Sequence, residues 1–258
     1  MASNVQDAIM LLGDSLTQGG WEPNGFAQRL ACGHSSQCIH IKLKPCVDRR
    51  IRKEIRCYQP WIFWLQHGVG YPSLRAGKCL KIPYITLLRS YQCFAKQHEQ
   101  QHVPKVRILI IWYGANDAAV KPSPQHIPLP QFSSNMSRLI RMVTDPESPW
   151  YSAATKVILI TPPPVNTYQR GADLESRDPP LRLDRLFETT KGYAEAVSEV
   201  GTKEGVPVVD IWNALYDAAG RDEKALSQFL NDGLHLNAAG YDVSRPQFLR
   251  ISKGDGYW

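Results

Sequence analysis

Ala8-Ile9-Met10-Leu11-Leu12-Gly13-Asp14-Ser15-Leu16 decides how the rest of the chain is read. An unbroken apolar run closed by Gly-Asp-Ser describes a buried strand entering a tight turn. The turn puts a serine at the carboxyl end of a strand, where open α/β sheets gather their ligands. Thr17-Gln18-Gly19-Gly20 then lets the backbone approach closely, and an amphipathic helix is expected over residues 24–31. On this stretch alone, Asp14 or Ser15 reads equally well as a helix N-cap. Two later stretches favour chemistry: Gly114-Ala115-Asn116-Asp117, and Asp232-Gly233-Leu234-His235.

Both lie at the ends of recognisable elements. Residues 106–113 form a continuous apolar run of the kind buried on both faces of a sheet, and it ends at Gly114. Phe132, Met136, Leu139, Ile140 and Val143 recur at helical spacing. Residues 156–161 are the next buried strand, closed by Pro162-Pro163-Pro164, which cannot continue a ladder. A long helix is expected over residues 183–204, a strand over 206–210 and a short helix over 225–230. Strands alternating with helices predict a doubly wound, mostly parallel sheet with helices on both faces. Without repeat, linker or low-complexity block, residues 1–258 read as a single domain.

The net charge of +6 suggests nucleic acid only when read globally. Residues 32–92 carry +9 of it, which leaves −3 on the rest, so nucleic acid is not an expected partner. Cys32, Cys38, Cys46, Cys57, Cys79 and Cys93 fall in or beside the same segment without paired C-x-x-C spacing, and no zinc site is expected. No apolar run has the length of a membrane span, and an acid at Asp7 without a basic leader makes the cytosol the default compartment.

Serine becomes a nucleophile when a base takes its proton and a third group orients that base. Ser15 is the candidate nucleophile and His235 the candidate base. Asp232, three residues earlier on one loop, is placed to hold the far imidazole nitrogen. Together these blocks resemble the GDSL, or SGNH, hydrolase family over most of the chain outside residues 32–92. The stretches GDSLTQGG (13–20), WYGANDAA (112–119), TPPPV (161–165) and DGLHL (232–236) are similar to the isoamyl acetate-hydrolysing esterases within it. The resemblance implies a flavodoxin-like three-layer fold, hydrolysis of short acyl esters of small alcohols, and no metal or organic cofactor. It also implies an oxyanion hole made by the Ser15 backbone N–H and the Asn116 side-chain amide, with Asp14 and Gly114 in support. Thioesterase, lysophospholipase or deacetylase chemistry suits the same residues, as does a remnant that keeps the triad without turnover.

Residues 32–92 depart from the family. They show no sustained helical or alternating period, and they stand where the family carries its second block. With synonymous codons and a frame moved by one base, residues 49–74 can spell that block, including its oxyanion glycine. Residues 76–78 and 243–244 admit splice-donor sequences, so the segment and the tail at 243–258 read as products of a frameshift or of retained introns. Such a segment is expected to order weakly and to pack poorly on the sheet. Neither Gly68 nor Gly70 sits in a context matching the missing glycine. Loss of one oxyanion donor typically costs ~10²–10³ in turnover, which predicts an impaired enzyme.

Overall fold

The computed structural model describes residues 8–20, 61–66 and 106–243. The helix expected over 24–31, most of residues 32–92 and the tail beyond 243 lie outside the described residues. Strand β1 (Ala8–Gly13) runs into the short helix α1 (Ser15–Gly19), and β2 is Trp61–Gln66. Then follow β3 (Val106–Trp112), α2 (Leu129–Thr144), β4 (Lys156–Ile160) and α3 (Thr167–Glu175). Helix α4 (Phe187–Glu204), β5 (Val208–Val209), α5 (Ile211–Ala218) and a 3₁₀ turn (Lys224–Gln228) come next, and residues 238–243 form a last helical turn, α6.

The strands pair in the order β2-β1-β3-β4-β5. Strands β1, β3, β4 and β5 are parallel, whereas β2 is antiparallel to β1, with Ala8 opposite Gln66 and Gly13 opposite Trp61. Neighbouring residues of the parallel strands alternate between two cores. Met10, Leu12, Leu109, Ile111 and Leu159 face α2 and α4, while Leu11, Ile110, Trp112 and Ile160 face α5 and the chain from Leu226 to Tyr241. The result is an α/β three-layer architecture with helices on both faces, as the alternation of elements predicts. Each fully buried aliphatic side chain in these layers contributes on the order of 2 kcal/mol.

Helix α2 follows its expected face: Phe132, Met136, Leu139, Ile140 and Val143 are all buried, and Pro130 falls in the first turn, where a missing N–H costs nothing. Several expectations need correction. Residues 61–66 belong to the segment expected to order weakly and pack poorly on the sheet, yet this aromatic and β-branched run forms an edge strand beside β1. Helix α4 begins at Phe187 rather than 183, because residues 183–186 stay extended while Asp184 and Arg185 bond elsewhere. The strand expected over 206–210 is only Val208–Val209, and the helix expected over 225–230 is a 3₁₀ turn. Helices α3 and α5 went unforeseen. Each starts at a side-chain cap: Asn166 accepts from the Gln169 N–H, and Asp210 from the Asn213 N–H. No helix among the described residues is long and apolar enough to cross a membrane.

Candidate active site

The sheet order reverses direction at β1, so the crevice between the carboxyl ends of β1 and β3 is its topological switch point. The Gly-Asp-Ser turn leaves β1 there, and Gly114-Ala115-Asn116-Asp117 leaves β3 beside it. Asp14 is the residue that caps α1, its Oδ1 accepting the Leu16 N–H at 3.0 Å. The cap frees Ser15 for other work. Behind the turn, the buried Tyr241 hydroxyl of α6 donates to the Leu16 carbonyl at 2.8 Å and braces α1 from the far side.

Ser15 Oγ lies 2.9 Å from His235 Nε2, and His235 Nδ1 lies 2.8 Å from Asp232 Oδ2. A carboxylate only accepts, so Nδ1 carries the proton and Nε2 is left to accept from the serine hydroxyl. Asp232 Oδ1 accepts the backbone N–H groups of Leu234 and His235 at 3.0 and 2.8 Å, which folds the Asp-Gly-Leu-His loop back on itself. Partial burial opposes ionisation of Asp232, but the His235 ring and these N–H groups outweigh it and hold the carboxyl well below the usual range. Arg170 Nη1 adds a contact to Oδ2 at 2.7 Å.

The loop is clamped from outside as well. Gln169 Nε2 donates to the carbonyls of Leu230 and Asn231, and the Asn166 N–H donates to the Gly233 carbonyl at 3.0 Å. Gly233 has φ +81°, and a Cβ there would lie 2.4 Å from the Arg170 backbone nitrogen. Only glycine satisfies both the left-handed conformation and that approach.

Asn116 is half-buried beside the serine turn. Its Nδ2 donates to Asp14 Oδ2 at 3.1 Å, and its Oδ1 accepts from Arg185 Nη2 at 3.2 Å. The bond to Asp14 uses one of the two protons on the amide nitrogen. Gly114, the other supporting residue named from the sequence, donates its N–H to Asp117 Oδ2 at 3.2 Å. Burial pushes the carboxyls of Asp14 and Asp117 up to about 6. Ser15, His235, Asp232, Asn116, Asp14 and Gly114 thus meet at one end of the sheet. Sequence reading missed Asp117, Arg170, Asp184 and Arg185. For Arg170 the local signal was its place one turn into a helix that the Asn166 cap announces. No group of His, Cys, Asp and Glu side chains among the described residues is arranged to hold a metal ion.

The family model of the GDSL-like lipases/acylhydrolases matches residues 11–243. The human isoamyl acetate-hydrolyzing esterase 1 homolog is 31% identical over 236 residues, covering 90% of this chain and 75% of the relative. The mouse homolog is 32% identical over 134 residues, 50% of this chain, and the chain spans only 49% of that relative's length. Among solved structures, a lipase/acylhydrolase from Enterococcus faecalis is 27% identical, covering 58% of this chain and 62% of its own, with a TM-score of 0.41. An acetylxylan esterase from Geobacillus stearothermophilus is 21% identical, covering 63% and 66%, also with a TM-score of 0.41.

Proposed function

The chain belongs to the GDSL-like lipase/acylhydrolase family, and from that premise we propose that it is a carboxylic ester hydrolase acting on short-chain acyl esters through Ser15, His235 and Asp232. The observation that carries this reading is the unbroken line from Ser15 Oγ through His235 to Asp232, at 2.9 and 2.8 Å. Both distances lie in the range a nucleophile and its base require before reaction.

In the proposed reaction His235 Nε2 takes the Ser15 proton as Oγ attacks the ester carbonyl. The imidazolium that forms is held by the ionised Asp232. Negative charge on the carbonyl oxygen is met by the Ser15 backbone N–H and the second amide proton of Asn116, both fixed before the substrate arrives. His235 then protonates the departing alcohol. Water, activated by the same nitrogen, attacks the acyl-serine and releases the acid. Acetates of small alcohols are the proposed substrates, in keeping with the names of the human and mouse relatives.

Hydrolysis of p-nitrophenyl acetate and octanoate, followed beside labelling by a fluorophosphonate probe, tests the proposal. Ser15→Ala and His235→Ala are expected to lose roughly 10⁶-fold in kcat. Asp232→Asn is expected to lose about 10⁴-fold, because an amide no longer selects the correct imidazole tautomer. Acetate is expected to turn over faster than octanoate. Near-normal turnover by Ser15→Ala overturns the assignment.

A further inference from the structure

Two arginines, one on α3 and one on the segment before α4, are packed under the site. Arg185 is 1% exposed and Arg170 5% exposed. Arg185 Nε donates to the Ala115 carbonyl at 2.7 Å, and its Nη2 reaches both Asn116 Oδ1 and Gln125 Oε1. Arg170 grips Asp184 with two bonds, Nε to Oδ1 at 2.9 Å and Nη2 to Oδ2 at 3.1 Å, while its Nη1 reaches Asp232 Oδ2. Arg185 Nη1 lies 3.1 Å from Asp184 Oδ2 and closes the chain. A continuous path therefore runs Asn116–Arg185–Asp184–Arg170–Asp232. Burial opposes ionisation of Asp184, yet the bonds from Arg170 and the charge of Arg185 overcome it and keep its carboxyl below the ordinary range.

Resting on the esterase reading above, we infer that Arg185, Asp184 and Arg170 are positioning residues that hold the oxyanion amide and the triad carboxylate as one unit. The amide of Asn116 has two orientations of nearly equal shape. With Arg185 donating to Oδ1 and Asp14 accepting from Nδ2, the observed orientation is favourable at both ends. The flipped amide would set N–H against guanidinium and C=O against carboxylate. Arg185 and Asp14 thus decide that a donor rather than an acceptor faces the developing oxyanion. At the other end Arg170 occupies the side of Asp232 Oδ2 not used by His235, which fixes the plane of the carboxylate. Stability is a poor explanation for such a path. A buried ionic group is often no more stabilising than apolar residues of similar volume, so its retention points to geometry.

The test is a pair of double-mutant cycles on the full chain, read as kcat and KM for p-nitrophenyl acetate, with circular dichroism and thermal unfolding as folding controls. Arg185→Lys keeps the charge but cannot reach all its acceptors at once. It is expected to lower kcat about 10- to 100-fold with little change in KM in the wild-type background. In an Asn116→Ala background the same change is expected to cost less than about 3-fold, since the group it positions is already gone. Equal losses in the two backgrounds, or no loss in either, overturn the inference. Should Arg185→Lys fail to fold, Arg170→Gln with and without Asp232→Asn decides it on the same criterion. Ser15→Ala is the separate control: if it retains turnover, the esterase reading itself fails, whatever the arginine variants do.

Discussion

Gly233→Ala tests how tightly the loop carrying Asp232 and the proposed base His235 is set against α3. At φ +81° an alanine carries a left-handed strain of about 1–2 kcal/mol. Its Cβ would also lie 2.4 Å from the Arg170 nitrogen, 2.7 Å from the Asn166 carbonyl oxygen and 2.8 Å from the Arg170 Cα. All three are backbone atoms at the start of a helix, so the loop has to move rather than its neighbours. Ordinary contact begins at 3.4 Å, which puts the displacement near 1 Å. Asp232 and His235 ride on that loop, and a shift of this size typically costs ~10² in rate. Strain and lost contacts together are expected to cost about 2–4 kcal/mol, or roughly 4–16 °C in Tm for a domain of this size. Gly220→Ala is the matched control, with φ +67° and nothing within 4 Å of the added carbon. It is expected to lower Tm through strain alone and to leave kcat unchanged. Kinetics on p-nitrophenyl acetate and thermal unfolding of both variants give the comparison. If Gly233→Ala turns over like Gly220→Ala, the loop is not braced in the way its backbone contacts require.

The buried carboxyls make a prediction about pH. Because Asp117 in the folded chain titrates near 6, against 3.8 unperturbed, its contribution to stability is fully present below pH 4 and is lost as pH rises through 6. Asp117→Asn keeps an oxygen for the Gly114 N–H. It is expected to remove that loss, at most about 3 kcal/mol, so that urea unfolding at pH 8 shows a more stable variant and at pH 4 an equal one. A variant less stable at pH 8 contradicts this. Tyr241→Phe removes one of two donors to the Leu16 carbonyl, which keeps the Gly20 N–H at 3.2 Å. It is expected to cost about 0.5–1.5 kcal/mol in urea unfolding and to lower kcat more than it raises KM, and unchanged kcat would show that α1 keeps its place without the brace.

What the chain declared about itself follows from which interactions are local. Strands β1, β3 and β4 were legible because both their faces are buried, so the apolar runs are nearly unbroken. The Asp-Gly-Leu-His loop was legible because its hydrogen bonds span only two or three residues. Helix α3 escaped because it buries only Arg170 and Leu174, which leaves no apolar stripe to find. Helix α5 follows β5 with only its cap, Asp210, between them, so no loop marks the boundary in the sequence. Leu183 and Leu186 mimic a helix face yet are partly exposed on an extended segment. Arg170 and Arg185 sit in polar surroundings and read as solvated side chains. Their partners Asp232 and Asn116 lie 62 and 69 residues away, a pairing that no local pattern can announce.

The bond between Ser15 and His235 joins residues 220 positions apart, and the Tyr241 brace spans 225. That separation sets a schedule for the growing polypeptide. At synthesis rates of ~5–20 residues per second, roughly 10–45 s pass between the emergence of the hydroxyl and that of its base. Throughout that interval the nascent chain carries a serine with no partner to activate it. In the proposed enzyme, chains that stall within the long middle stretch therefore lack the base, and hydrolytic capacity waits on synthesis of the Asp-Gly-Leu-His loop.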